Sequence, residues 1–139
     1  MYLIDTNVIS ELRKGRRANP GVRAFFFEVT QAEQPLFLSV VTIGELRRGI
    51  ELIRHRGDTG QARRLEYWLT NLLLHYSDHL LDINADVCQT WGWLRVPHPE
   101  NVIDKLIAAT ALVHDLILVT RNERDFQLPG LRLLNPFAV

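Results

Sequence analysis

Four carboxylates and one carboxamide of this 139-residue sequence stand where chemistry could be done: Asp5, Glu45, Asp104 and Asp125, with Asn122. Asp5 closes the apolar run Tyr2-Leu3-Ile4, and Thr120, Asn122 and Asp125 follow the run 116–119. Open parallel sheets bind ligands beyond the carboxyl ends of their strands, so polar clusters after two strands are expected of a site. Asp104 stands out differently, because it shares a helical face with Ile107, Ala108 and Ala111. A carboxylate on an apolar stripe needs a cation or a strong donor, since burying it unpaired is costly. Carboxylate and carboxamide oxygens suit a hard dication such as Mg²⁺ or Mn²⁺, and no Cys/His set with zinc spacing competes. His75 and His79 are spaced i,i+4 but flank Ser77-Asp78 without a third ligand. A dication held there could lower the pKa of a bound water, orient it and neutralise a leaving oxygen, and no well-placed His or Lys offers a competing base.

Each of these residues also has a purely structural reading. Asp5 can cap the helix that follows it. Thr42 and Glu45 have the spacing of a capping box, which would explain Glu45 completely. Asp104 can pair with one of fourteen Arg, and Asn122 with Asp125 can form an ordinary turn. What favours chemistry is the conjunction of three carboxylates and an Asn on one expected edge of the sheet.

The elements that must position them follow from periodicity and punctuation. A strand at 2–4 leads into a helix carrying Val8, Ile9 and Leu12, which Thr6-Asn7 can cap. Asn19-Pro20 opens a second helix with Pro in its first turn, and Val22, Phe25, Phe26 and Val29 as its stripe. A strand over 36–41 precedes a helix through Leu46, Ile50 and Ile53, and 59–75 continues helically, so these two helices form an antiparallel hairpin. A strand at 79–83, a helix capped by Asn84, a loop at Pro97-His98-Pro99, a helix from Asn101, and strands at 116–119 and 131–134 complete the chain. Strands alternating with helices imply a three-layer α/β/α sandwich on a mostly parallel sheet, in one domain over residues 1–139.

Composition narrows the partners. Sixteen Lys and Arg balance sixteen Asp and Glu, so whole-molecule charge gives no pull toward a polyanion. Residues 1–64, however, hold eleven basic and seven acidic side chains, and 65–139 hold five basic and nine acidic, so any basic surface is local. A lone Cys88 excludes an internal disulfide and fits a reducing cytoplasm. No apolar run approaches the roughly 20 residues of a membrane span, and the start of the sequence lacks a basic leader, so a soluble, unprocessed protein is expected.

Four segments resemble the signature stretches of PIN-domain nucleases, nearest to the VapC and FitB-like toxins of toxin–antitoxin modules. They are Leu3-Ile4-Asp5-Thr6-Asn7-Val8-Ile9-Ser10-Glu11, Thr42-Ile43-Gly44-Glu45-Leu46-Arg47-Arg48-Gly49, Ile103-Asp104-Lys105-Leu106-Ile107-Ala108-Ala109-Thr110-Ala111 and Val119-Thr120-Arg121-Asn122-Glu123-Arg124-Asp125-Phe126. The resemblance implies a PIN-like fold and a metal-dependent endoribonuclease, the toxin of a pair silenced by a cognate VapB-like antitoxin and active as a homodimer. It carries the catalytic set to Asp5, Glu45, Asp104 and Asn122, with Mg²⁺ or Mn²⁺ on Asp5 and Asp104. Thr6, Asn7, Thr120 and Asp125 become supporting donors and acceptors. Asn122 stands where many relatives have Asp, which leaves less charge for a second ion. Lys105, beside Asp104, points about 100° away around its helix.

RNA must also be held. Arg13, Lys14, Arg16 and Arg17 follow the first helix, and Arg47, Arg48, Arg54 and Arg56 line the helix near Glu45, so both groups can flank the acids; the alternative is a solvated helix face. Trp91 and Trp93 can stack on bases or serve as core and subunit contacts. Two rivals stand beside the nuclease. A receiver-like signalling domain needs paired acids at the first strand and a late Lys, where this sequence has Asp5-Thr6 and Arg121. A catalytically silent PIN-like scaffold binding RNA or protein is opposed by the complete acidic set.

Overall fold

The computed structural model describes residues 1–137; the last two positions of the expected domain lie outside the described residues. The five strands are β1 (Tyr2–Ile4), β2 (Leu36–Ser39), β3 (Leu80–Leu81), β4 (Ile117–Val119) and β5 (Leu133–Leu134). The helices are α1 (Thr6–Leu12), α2 (Pro20–Gln31), α3 (Val40–His55), α4 (Thr59–His75), α5 (Ala85–Leu94) and α6 (Val102–Val113). The sheet runs β3-β2-β1-β4-β5 and every pairing is parallel. Alternation along a strand sends successive side chains to opposite faces, and β1 shows the consequence. Ile4 packs with Val8, Ile9, Val22, Leu46 and Leu69 from α1 to α4, while Leu3 packs with Val87, Leu94, Ile107 and Ala108 from α5 and α6. Two cores on two faces make the expected three layers, and α3 with α4 forms the expected hairpin.

Because β1 is central and the chain goes to β2 on one side and reaches β4 on the other, the strand order reverses between β1 and β4. Tyr2, Leu3 and Ile4 stand in register with Ile117, Leu118 and Val119, so Asp5 and Thr120 leave the sheet side by side. That crevice is where open α/β sheets bind their ligands.

Several boundaries differ from the sequence reading. The run 36–41 does not stay extended: the strand ends at Ser39, whose Oγ accepts from the Val41 N–H at 3.1 Å and caps α3. Val40 and Val41 favour a strand as isolated residues, but the capped turn draws them into the helix. The capping box at Thr42 and Glu45 is therefore not formed, since the helix starts a few residues earlier. Thr6 and Asn7 lie inside α1, and Asp5 is its cap. Of the basic residues that follow the first helix, Arg16 and Arg17 lie in a 3-10 turn over Gly15–Arg17. Asn19 and Asn84 cap α2 and α5 as expected, accepting from Gly21 and from Val87 respectively.

Candidate active site

Asp5 is almost fully buried, and its two carboxylate oxygens are held by three residues, two from α1 and one from the end of β4. Oδ1 accepts from the Thr6 N–H at 2.8 Å, and Oδ2 accepts from the Thr120 hydroxyl at 2.8 Å and from Asn7 Nδ2 at 3.3 Å. Asn7 completes the clasp between β1 and β4, because its Oδ1 accepts from the Arg121 N–H at 3.2 Å. Thr120 Oγ1 in turn accepts from the Asn122 N–H at 3.0 Å. The side chains of Asn7 and Thr120 thus convert two adjacent strand ends into one rigid seat for a carboxylate.

Burial pushes the Asp5 carboxyl up from 3.8 to about 6; the bonds from Thr120 and Thr6 oppose the rise, and the charges of Asp104 and Glu45 add to it. Asp104, half-buried in the first turn of α6, is also raised, by burial first and then by Glu45 and Asp125. Glu45 is exposed on α3, and its Oε1 accepts from the Thr6 hydroxyl at 2.7 Å. Asp5, Thr6, Asn7, Ser10, Glu45, Asp104 and Asn122 line one open hollow of about 290 Å³. Among the described residues, neither Asp5, Glu45 nor Asp104 enters an ion pair, so the Arg partner considered for Asp104 is not there. Lys105 does not supply one, since it is buried with its Nζ donating to the His98 carbonyl.

Uncompensated carboxylates around an open hollow fit a dication chemically. All the donors are hard oxygens, and a positive ion would offset both the burial that chiefly raises Asp5 and Asp104 and the neighbouring charges that add to it. Among the described residues no three His, Cys, Asp or Glu side chains form a ready-made metal cluster. An ion such as Mg²⁺ keeps several waters and takes only one or two carboxylates from a protein, a demand that the carboxylates lining this hollow can meet.

The remaining expected residues fall into two groups. Asp125 accepts from Asn122 Nδ2 at 2.7 Å and is not among the lining residues, though its charge reaches Asp104. Arg13, Arg16, Arg17 and Arg48 are exposed. Arg47 is engaged at 2.7 Å by Glu66 and at 3.1 Å by Glu51, and Arg54 pairs with the same two acids. Two lining or supporting residues escaped the sequence reading. Ser10 lies one turn after Thr6, a spacing that puts both on one face of α1. Thr42, read as a cap, is fully buried with its hydroxyl 3.1 Å from that of Thr6.

A parallel sheet with its order reversal at an acidic hollow defines an open α/β protein with its crevice at the strand ends, and sequence comparison makes the class specific. The PIN domain model matches residues 2–129, and the chain belongs to the PIN-domain family. It is 32% identical to the VapC ribonuclease Y4jK of Sinorhizobium fredii over 99% of this chain and 98% of that protein. It is 29% identical to the toxin FitB of Neisseria gonorrhoeae over 99% of each. Among solved structures, FitAcB from Neisseria gonorrhoeae superposes with a TM-score of 0.76 at 28% identity, covering 98% of each chain.

Proposed function

We propose that this chain is a Mg²⁺- or Mn²⁺-dependent endoribonuclease, a single domain acting in the cytoplasm as the toxin of a toxin–antitoxin pair. The observation that carries the reading is the set of Asp5, Glu45 and Asp104 around one hollow, with no Lys or Arg among the described residues that line it. Asp5 and Asp104 would hold the ion, with Asn122 offering a neutral oxygen beside them. When bound, such an ion activates water and neutralises charge on a phosphodiester. This chain's own residues do the positioning. Thr120, Asn7 and the Thr6 amide fix Asp5, and the Thr6 hydroxyl fixes Glu45. Arg13, Arg16, Arg17 and Arg48 are exposed and would hold RNA phosphates, whereas Arg47 would meet the backbone only by leaving its Glu partners.

Kinship with a named VapC ribonuclease and a named toxin supports RNA as substrate and a VapB-like antitoxin as inhibitor. Trp93, Val96, Val102 and Ile103 are exposed apolar residues around the α5–α6 connection, and they support a homodimer through that surface. The test is to incubate the protein with total cellular RNA, with and without Mg²⁺ or Mn²⁺, and map the ends. Discrete ends that need the ion and vanish in Asp104→Asn are expected. Equal cleavage by parent and Asp104→Asn overturns the assignment of that residue, and no cleavage with either ion overturns the nuclease reading.

A further inference from the structure

The acidic hollow does not end at Glu45. A second hollow of about 160 Å³ shares Thr6, Ser10 and Glu45 with it and continues between α1, α3 and α4. Its character changes at once: Leu46, Ile50, Ile53, Leu65 and Trp68 make it apolar, and Arg13 is the one cation among the described residues that line it. Along α3 the lining positions are 45, 46, 49, 50 and 53, one continuous helical face at 100° per residue. Gly49 lies within that face.

A glycine in the middle of a sixteen-residue helix weakens it, so its presence calls for a reason. Close packing supplies none, because a Cβ built at Gly49 meets nothing within 4 Å. Its φ is not in the left-handed region either. What a side chain at 49 would take up is space in the second hollow. The absent side chain keeps that hollow open, and its position says for what. One end abuts the carboxylates where a phosphodiester would react, and Arg13 stands at the rim, suited to a backbone phosphate.

Resting on the nuclease reading above, we infer that this hollow is a nucleobase subsite, taking one base adjoining the scissile phosphate against Trp68 and the aliphatic wall while Arg13 holds a neighbouring phosphate. The wall offers a base stacking and desolvation, not a pattern of donors and acceptors, so the subsite should accept any base while rejecting its absence.

The test is binding in EDTA, so that it does not depend on metal or turnover. The probes are a fluorescein-labelled mixed-sequence oligoribonucleotide of six residues and an abasic oligomer of equal length. The parent should bind the base-bearing oligomer more tightly by roughly 5- to 150-fold, the range one stacked base contributes. Gly49→Leu should melt no lower than the parent, lose most of that preference and keep its affinity for the abasic oligomer. Gly49→Ala, which intrudes less, should fall between. Arg13→Ala should weaken both oligomers and lower the salt dependence of each.

Equal affinity of the parent for both oligomers overturns the subsite. So does an undiminished preference in a folded Gly49→Leu, and so does a Gly49→Leu that binds both RNAs normally but loses a co-expressed antitoxin, which would give the hollow to a protein partner. A parent that discriminates base from no base yet cuts nothing in Mg²⁺ or in Mn²⁺ leaves the subsite standing and removes the nuclease. A parent that cuts but does not discriminate does the reverse.

Discussion

Replacing Asp5 by Asn should make the ion-free protein more stable, and the structure sets the size of the effect. The carboxyl keeps its proton up to about pH 6 in the folded chain, against 3.8 for an ordinary Asp. Between those values the folded state binds more protons than the unfolded one, so stability falls as pH rises, and the whole deficit is present above pH 6. At about 1.36 kcal/mol per pH unit the deficit is about 3 kcal/mol. The Asp5→Asn variant would not recover all of it. Its amide must replace an acceptor of the Thr120 hydroxyl, and it would set one NH₂ against the Asn7 Nδ2 now 3.3 Å from Oδ2, a cost of about 1 kcal/mol. The net gain is then about 1–2 kcal/mol at pH 8, or about 3–10 °C in melting temperature for a chain of this length. Differential scanning calorimetry in EDTA on both proteins at pH 8 and pH 5 measures it. At pH 5 the parent has already recovered about half the deficit by protonation, so the difference between the proteins should shrink. A variant that melts at or below the parent at pH 8, or a gap that does not depend on pH, would refute the claim that desolvation and crowding of a charged Asp5 destabilise the fold.

Other perturbations separate the parts of the site. Thr120→Val removes the buried hydroxyl bonded to Asp5 and should lower the urea unfolding free energy by about 1–3 kcal/mol; an unchanged midpoint would show that the clasp between β1 and β4 carries no stability. Ser39→Ala should cost about 1 kcal/mol through the lost cap, whereas Glu45→Gln should stay within about 0.5 kcal/mol while RNA cleavage falls by orders of magnitude, and normal cleavage by Glu45→Gln would remove Glu45 from the catalytic set. Arg16→Ala with Arg17→Ala should reduce the slope of log affinity against log salt by about 1.4 for single-stranded RNA. Arg54→Ala should change it much less, since Glu51 and Glu66 already neutralise that guanidinium; an equal change would show that the ion pairs open for RNA.

Legibility in the sequence followed the range of the interaction. Periodicity and caps exposed elements whose stabilising groups are neighbours in the chain, such as Asn19 before Pro20 and Asn84 before α5. The alternation of strands and helices gave the layers. Failure came where two local signals competed. Val40 and Val41 argued for extension while Ser39 was able to cap, and the Thr42–Glu45 spacing matched a cap that the chain had already made earlier. Longer-range contacts left no local trace. Arg47 has Glu51 in view at i+4, but Glu66 comes from α4, and only the packed hairpin shows that the two acids share Arg47 with Arg54.

Asp5 shows why the site itself was only half readable. Its place at the end of a strand was visible, but its dominant partner, Thr120, is 115 positions away and arrives by strand order alone. Reversal of the order between β1 and β4 puts those strand ends side by side with no loop between them. A polar group buried there can be satisfied only by its neighbour across the crevice, which is what Asn7 and Thr120 do for each other's strand. The same reversal leaves the first turns of α1 and α6 to approach from the two faces of the sheet, carrying Thr6 and Asp104 to one opening. The sheet cores hold these carboxylates together against their repulsion, since Leu3, Ile4, Leu118 and Val119 beneath them are fully buried. Asp5 and Asp104 therefore remain under electrostatic stress in the absence of an ion, and that stress is a property of topology more than of any local motif.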